Sequence, residues 1–465
     1  MSFESRYQKL NAEQKLAVDT IEGPVMVVAG PGTGKTELLG LRVANILRES
    51  DTLPSGILCL TFTDLAAKNM RERLVGLIGA EAYKVAIHTF HSFALDISHR
   101  FPDEFYEEIA TQSADEIVQI ETLGKILERL PYSDPFQKKN PQGTYVYLND
   151  IKSRIGQLKK AGLAPEEFKR ILETNASGYR LIEEILVPIF EQRMSKKVRD
   201  LIPEALIAIK DLTLPAMSIS HMSLLDYQKL LISSLSKAYE EAVEEDKTRS
   251  LTEWKENWFK KDPATKQSQL KDSYQLKRNL SLANVYGEYQ EQLKAAGYID
   301  FEDMIIDLIQ AMITKPGLLA ELQEKYQYVL VDEFQDTNEA QMRIIHLLTD
   351  NPVNEGLPNI MIVGDDDQSI FKFQGAELNN VVQFQARYPG TKFITLTKNY
   401  RSTAAIVDFA QRIITQGTDR LTTRITEINK QLTAANPSIA AGTINTHTFD
   451  TAVHEYAYIV KEIQA

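Results

Sequence analysis

Ala29-Gly30-Pro31-Gly32-Thr33-Gly34-Lys35-Thr36 is the stretch whose reading decides the fold. It follows the apolar run Pro24-Val25-Met26-Val27-Val28 and precedes a helix-like segment from Glu37 to Arg48. Strand, glycine-rich turn and helix together make the context of a phosphate-cradling loop. The glycines let backbone N–H groups turn inward, and the N-terminus of the following helix adds partial positive charge. On that reading Gly30, Pro31, Gly32, Thr33 and Gly34 line the cradle. Lys35 reaches the outer phosphates, and the Thr36 hydroxyl holds Mg²⁺. Ala29 stands where the strict pattern has its first glycine.

A second acidic element answers the loop far downstream. Asp332-Glu333-Phe334-Gln335-Asp336 directly follows the strand-like run Tyr328-Val329-Leu330-Val331. Its carboxylates therefore fall at the carboxyl edge of a sheet, where open α/β sheets bind ligands. Asp332 is placed to hold Mg²⁺ alongside Thr36, and Glu333 to polarise a water attacking a γ-phosphate. ATP with Mg²⁺ is the ligand this pairing calls for.

Working outward, Ile57–Thr63 reads as a second strand followed by a helix over 64–78, and Val85–Phe90 as a third short strand. Ile360–Val363 and Phe393–Leu396 read as strands that return late in the chain. Strands alternating with helices predict a parallel, doubly wound sheet. Between about 93 and 298 the pattern turns helical, with segments 113–130, 147–160, 166–173, 181–192, 224–244 and 280–296. Sheet-type sequence resumes afterwards, so this stretch is an insertion. Asn11 is a cap for a helix opening at Ala12. The end of the chain reads as a strand at 442–449 and a helix at 452–464.

Composition narrows the class. At 465 residues the chain exceeds one ordinary core, so it divides into domains. Its 43% hydrophobic and 25% charged content describes a globular protein. No apolar run reaches bilayer-spanning length, and the first residues lack signal-peptide character, so a cytoplasmic location and no membrane partner are expected. Cys59 is the only cysteine, which rules out an internal disulfide and a cysteine-ligated zinc. The net charge of −12 argues against coating nucleic acid through bulk positive charge, but not against a narrow groove.

The motifs, taken together, resemble superfamily 1 DNA helicases of the UvrD/Rep/PcrA type. They are Gln14, the phosphate loop, Thr61-Phe62-Thr63, Thr89-Phe90-His91-Ser92-Phe93 and Val331–Thr337. Val363-Gly364-Asp365-Asp366-Asp367-Gln368-Ser369-Ile370 and Asn399-Tyr400-Arg401-Ser402 complete the series. The resemblance implies a RecA-like ATP-binding motor domain over 1–93 and 298–388. It implies a helical accessory domain over 94–297, enlarged at about 175–280, and the start of a second RecA-like domain over 389–465. It also implies ATP-driven, 3′-to-5′ movement on single-stranded DNA, with duplex junctions as partners.

Residue roles carry over the same way. Gln14 reads the adenine edge, Tyr400 stacks on the base, Gln368 senses the γ-phosphate, and Arg401 is an arginine finger. Thr61, Phe62, Thr89, His91, Phe371 and Phe373 fall at DNA-track positions, the phenylalanines as stacking platforms. Phe371 and Phe373 replace a usual Tyr and Trp, Gln374 a usual Arg, and Asp64-Leu65 a usual Asn-Lys. Weaker, less salt-dependent DNA binding follows from those losses. The family's later motifs, with a second arginine finger, are expected beyond Ala465.

Two stretches stay open. Trp254-Lys255-Glu256-Asn257-Trp258-Phe259-Lys260-Lys261 reads either as a DNA or partner contact or, preferred, as an amphipathic helix with its tryptophans inward. The chain as a whole also admits a binding module without turnover, or the motor part of a helicase–nuclease. A kinase on a similar loop leaves Gln14, Tyr400 and Arg401 unexplained.

Overall fold

The computed structural model describes residues 3–105, 112–215, 224–262, 266–369, 379–417, 420–425, 428–436 and 444–464. The chain forms two compact units, Met1–Glu104 with Ala311–Ala465, and Phe105–Gln310.

The first unit is built on six parallel strands: β1 (Val25–Ala29), β2 (Ile57–Thr61), β3 (Ala86–Thr89), β4 (Tyr328–Val331), β5 (Ile360–Gly364) and β6 (Lys392–Leu396). Their order across the sheet is β6-β1-β5-β4-β2-β3. β1, β2 and β4 are buried along their whole length, the pattern of a parallel sheet covered on both faces. The helices Ala12–Asp19, Lys35–Glu49 and Asp64–Ile78 bury Val18, Leu38, Leu41, Met70 and Leu74 against one face. This is the mixed α/β architecture of a RecA-like motor domain.

Arg42 ties two of these helices together. Its guanidinium is buried and donates to the carbonyls of Ala17, Thr20 and Ile21, satisfying the open C-terminal carbonyls of the helix Ala12–Asp19. That helix carries Gln14, and Arg42 belongs to the helix of the phosphate loop. Burial draws the Arg42 pKa down to about 10.

Three expectations are corrected by the sheet and the helices. β6 was expected beyond a boundary at 389. Instead it pairs with β1 in parallel, Val25 to Lys392 through Ala29 to Leu396, so the sheet runs on to Leu396. No strand occurs among the described residues 444–449, which have no neighbouring strand to supply a ladder. The segments 166–173 and 181–192 are one helix, Pro165–Phe190. Gly178, inside this helix, serves close packing: a Cβ there would lie 2.9 Å from the Leu224 side chain.

The second unit holds separate cores. One packs Leu123, Ile126, Ile151, Ile155, Tyr286 and Tyr289. Another packs Ile182, Phe190, Leu231, Leu235, Leu251 and Trp254, within the enlarged segment at about 175–280. Trp254 is 5% exposed, stacks on Trp258 at 5.7 Å and donates its indole N–H to Ser234. The inward reading of that aromatic-basic stretch therefore holds for Trp254. Lys159 is buried and pairs with Asp300 at 2.9 Å and Asp303 at 2.8 Å, closing the first of these cores where the chain leaves it.

Candidate nucleotide and nucleic-acid site

Five of the strands deliver sequence motifs to one edge of the sheet. The phosphate loop follows β1, Asp365–Gln368 follows β5, Asp332–Asp336 follows β4, Thr61–Thr63 ends β2, and Thr89–His91 ends β3. Because all run parallel, every one of these segments leaves at the carboxyl edge, where helix N-termini and loop N–H groups gather.

In the loop, Gly32 and Gly34 adopt φ of +71° and +89°, conformations that favour glycine. Gly34 is the N-cap of the helix Lys35–Glu49, and no side chain caps that end. Its first-turn N–H groups thus stay available to an anion. Ala29 is the last, fully buried residue of β1, a place where a methyl group is accommodated. Thr33 closes the loop on itself, its hydroxyl donating to the Gly30 carbonyl at 2.7 Å.

Lys35 Nζ lies 2.6 Å from Glu333 Oε2. Glu333 sits in the left-handed region, φ 50° and ψ 46°, which turns its carboxylate out of the strand direction. Gln335 donates to the same oxygen at 2.9 Å and accepts from the Asp365 N–H at 2.9 Å. Asp365 in turn accepts from Gln368 Nε2 at 2.7 Å. A continuous chain of polar contacts so joins Lys35 to Gln368 through Glu333, Gln335 and Asp365. Gly364 permits it, since a Cβ there would stand 2.6 Å from Gln335 Oε1 and 3.2 Å from its backbone nitrogen.

Asp332 is buried, and its Oδ1 accepts the Glu333 N–H at 3.0 Å. Desolvation, helped by the neighbouring Glu333, pushes its pKa up to about 6, against the pull of Lys35. Asp336 is pushed up to about 6 by the same burial and the same neighbour. No cluster of three or more His, Cys, Asp or Glu suited to a metal occurs among the described residues. Uncapped N–H groups, a hydroxyl and a desolvated carboxylate fit a magnesium ion that brings its own phosphates and waters.

Gln14 is 5% exposed. Its Nε2 donates to the Thr33 carbonyl at 2.9 Å and its Oε1 accepts from the Asn11 N–H at 3.1 Å. Asn11 Nδ2 donates to the Tyr400 hydroxyl at 3.1 Å, so Gln14 and Tyr400 share a neighbour. Tyr400 is also fixed by its backbone, whose N–H donates to the Gly32 carbonyl at 2.9 Å. Asn399 Nδ2 donates to the Pro31 carbonyl at 2.6 Å. Arg401 stands apart from the Lys35–Glu333 pair: its Cβ lies against Gly32 and its side chain is exposed.

The nucleic-acid candidates fall at the other end of the edge. Thr61 and Thr89 are partners in the β2–β3 register. Thr61 is buried, and Thr89 accepts from the Ser92 N–H as the cap of the helix Phe90–Arg100. Phe62 and His91 are half-buried beside them. Phe371 and Phe373 lie outside the described residues.

Sequence reasoning gave no role to Gln335 or Asn399, although both lie inside quoted motifs. A side-chain amide next to a charged motif was the available signal. Lys430 and Arg420 were missed altogether. Lys430 Nζ lies 2.6 Å from Asp365, 2.5 Å from Asp366 and 2.8 Å from Asp367. Arg420 forks onto Asp367 at 2.8 and 2.7 Å. Lone cations in a stretch without a motif carry no local signal.

Comparison with known proteins bears on the whole arrangement. The UvrD/REP helicase N-terminal domain matches residues 10–243 and 208–389. The chain belongs to the UvrD/Rep helicase family. Among similar UvrD/Rep-type proteins is an ATP-dependent DNA helicase PcrA of Staphylococcus epidermidis (strain RP62A), 29% identical over 456 residues, covering 98% of this chain and 45% of that protein. An ATP-dependent DNA helicase PcrA of Staphylococcus aureus (strain Mu50) is 28% identical over 411 residues, covering 88% and 40% respectively. The chain thus spans less than half the length of these curated relatives. Among the described residues, no helix is long and apolar enough to cross a membrane.

Proposed function

We propose that this chain is the N-terminal part of an ATP-dependent DNA helicase that moves 3′ to 5′ on single-stranded DNA and acts at duplex junctions. The observation that carries the reading is the Lys35–Glu333 pair at 2.6 Å, set between an uncapped glycine-rich loop and a buried aspartate. Lys35 and the loop N–H groups bind the phosphates, and phosphate displaces Lys35 from Glu333. Glu333 then accepts a proton from the attacking water, while Gln335 keeps its carboxylate oriented. Thr36 and Asp332 would hold Mg²⁺, which would neutralise phosphate charge. Gln14 and Tyr400 flank the adenine, and Gln368 reports phosphate occupancy through Asp365 and Gln335. Thr61, Phe62, Thr89 and His91, with Phe371 and Phe373, form the DNA track.

In domain terms, 1–93 and 298–396 are the first motor domain, since β6 belongs to its sheet, 94–297 the accessory domain, and the stretch after 396 the opening of a second motor domain. A second reading is that residues 1–465 bind nucleotide and DNA without turning ATP over. It is favoured by Arg401, whose side chain is exposed and outside the Lys35–Glu333–Gln335 contacts.

The test is a titration of a fluorescent ATP analogue with Mg²⁺, followed by phosphate release with and without poly-dT. Lys35→Ala is expected to weaken nucleotide binding by roughly tenfold or more, because a charge-assisted contact is lost. Equal affinity of parent and variant overturns the nucleotide site. Release stimulated by poly-dT supports the helicase reading, and binding without release supports the second.

A further inference from the structure

We propose that Lys430, with Arg420, is a positioning residue for nucleotide: it straps the bracket Asn399–Tyr400 over the phosphate loop. The inference rests on the reading that this loop binds nucleotide. Four observations lead to it.

The first is the clamp itself. Lys430 is almost fully buried, its side chain 6% exposed, and it touches all three aspartates that follow β5. Arg420 and the Leu421 N–H add bonds to Asp367 and Asp366. Burial alone would lower the Lys430 pKa, yet Asp365 and Asp366 hold it above its ordinary value.

The second is the strap. From Lys430 the chain runs at once into Thr433–Ala434, which pairs in parallel with Lys398–Asn399. The Thr433 N–H donates to Thr397, the Ala435 N–H to Asn399, and Asn436 Nδ2 to the Tyr400 carbonyl. The third is the bracket, whose Asn399 and Tyr400 donate to the Pro31 and Gly32 carbonyls. Leu432 also rests on the loop, 2.8 Å from where a Cβ on Gly30 would stand.

The fourth is the cavity beside the strap, about 760 Å³, whose border includes Val28, Leu432, Asp367, Arg420 and Lys430. Leu421, Ile425 and Ile428 are buried in the same segment, and Gln411 donates to the Leu432 carbonyl at 2.7 Å. The ionic clamp is what ties that segment to the loop after β5. Removing one partner of a buried charge cluster leaves the others uncompensated. Loss of Lys430 therefore releases the strap, and with it the bracket.

The experiment uses residues 1–465 as they are, with amide hydrogen exchange and titration of a fluorescent ATP analogue with Mg²⁺. Lys430→Met is expected to speed exchange at Tyr400, Thr433 and Ala435 by roughly tenfold or more, with β1 unchanged. The same variant is expected to weaken nucleotide binding by about tenfold, and Lys430→Arg to restore most of both. Lys35→Ala should weaken binding with exchange at Tyr400 as in the parent. Parent-like exchange in Lys430→Met overturns the inference, and so does weakened binding without faster exchange. If Lys430→Met does not fold, Arg420→Met removes only the fork on Asp367 and is expected to give a smaller shift of both readouts. Parent-like exchange in Arg420→Met then overturns the strap. A parent that binds no analogue sinks the functional reading instead, and exchange still decides whether the clamp holds the strap.

Discussion

Glu333 adopts a left-handed backbone, φ 50° and ψ 46°, at the end of a fully buried strand. A residue with a side chain rarely takes that conformation unless its surroundings insist, and such sites cluster where chemistry is done. Here the insistence comes from Lys35 and Gln335, both bonded to one carboxylate oxygen. Glu333→Gln keeps the shape and removes the charge. Lys35 is then free for phosphate, so nucleotide affinity should match or exceed the parent's. Phosphate release should fall by about 10²–10⁴, the usual contribution of a positioned base. Single-turnover release on poly-dT checks this, and undiminished release removes Glu333 from the base role. Lys35 and Glu333 were legible in the sequence because each sits in a short pattern with its own strand. Gln335 was not, since its importance lies in reaching Asp365, 30 residues away. Lys430 was further still from legible, as its three partners belong to another element.

At the scale of elements, all six strands were readable: β1, β2 and β4 as unbroken apolar runs buried on both faces, and the edge strands β3 and β6 as short runs whose burial alternates. The partner of β6 was not readable. Nothing in Lys392–Leu396 says whether it pairs with β1 or starts a new sheet, and that choice rests on space beside β1. The short strands Gln112–Ser113 and Tyr298–Ile299 pair within the helical unit and were also missed, being two residues each. The helix Glu339–Thr349 carries a testable titration. His346 lies 3.3 Å from the Tyr388 hydroxyl, which also bonds Thr349, with Arg387 and Asp350 nearby. Burial, then Arg387, lowers its pKa from 6.5 to about 4. The folded state therefore binds fewer protons than the unfolded one in that window. Stability from neutral His346 is full above pH 6.5 and is lost as pH falls through 4. The full loss, once the pH is below 4, is about 3 kcal/mol. Asp332 and Asp336 work in the opposite direction, since their raised pKa values favour the folded state as pH falls below 6. The difference between parent and His346→Gln isolates the histidine. In urea melts at pH 7 and 4.5, the variant should lose less stability on acidification, and equal losses would place His346 in contact with solvent.

Across the whole molecule, the division into two units has a thermodynamic consequence that the tryptophans make visible. Both tryptophans, Trp254 and Trp258, lie in the unit Phe105–Gln310, in the core built around Phe190 and Leu231. The motif residues of the nucleotide site all lie in the other unit. That distribution was half legible: the helical insertion stood out by periodicity, whereas its second core did not, because helix-to-helix packing has no local pattern. Chains with separate cores commonly unfold in more than one step. A ligand that binds only the folded first unit stabilises that unit by mass action, about 2.7 kcal/mol at a hundredfold excess over Kd. Tryptophan emission reads the second unit alone, whereas exchange at β1 reads the first. With a nonhydrolysable ATP analogue and Mg²⁺, protection at β1 should rise while the denaturant midpoint seen by tryptophan emission stays put. Trp254→Ala should do the reverse, destabilising the helical unit by the roughly 3–5 kcal/mol of a large core truncation, so that its midpoint falls while β1 protection is unchanged. Midpoints that move together in both experiments would mean that the two units fold as one, and the separate cores would then be parts of a single cooperative structure.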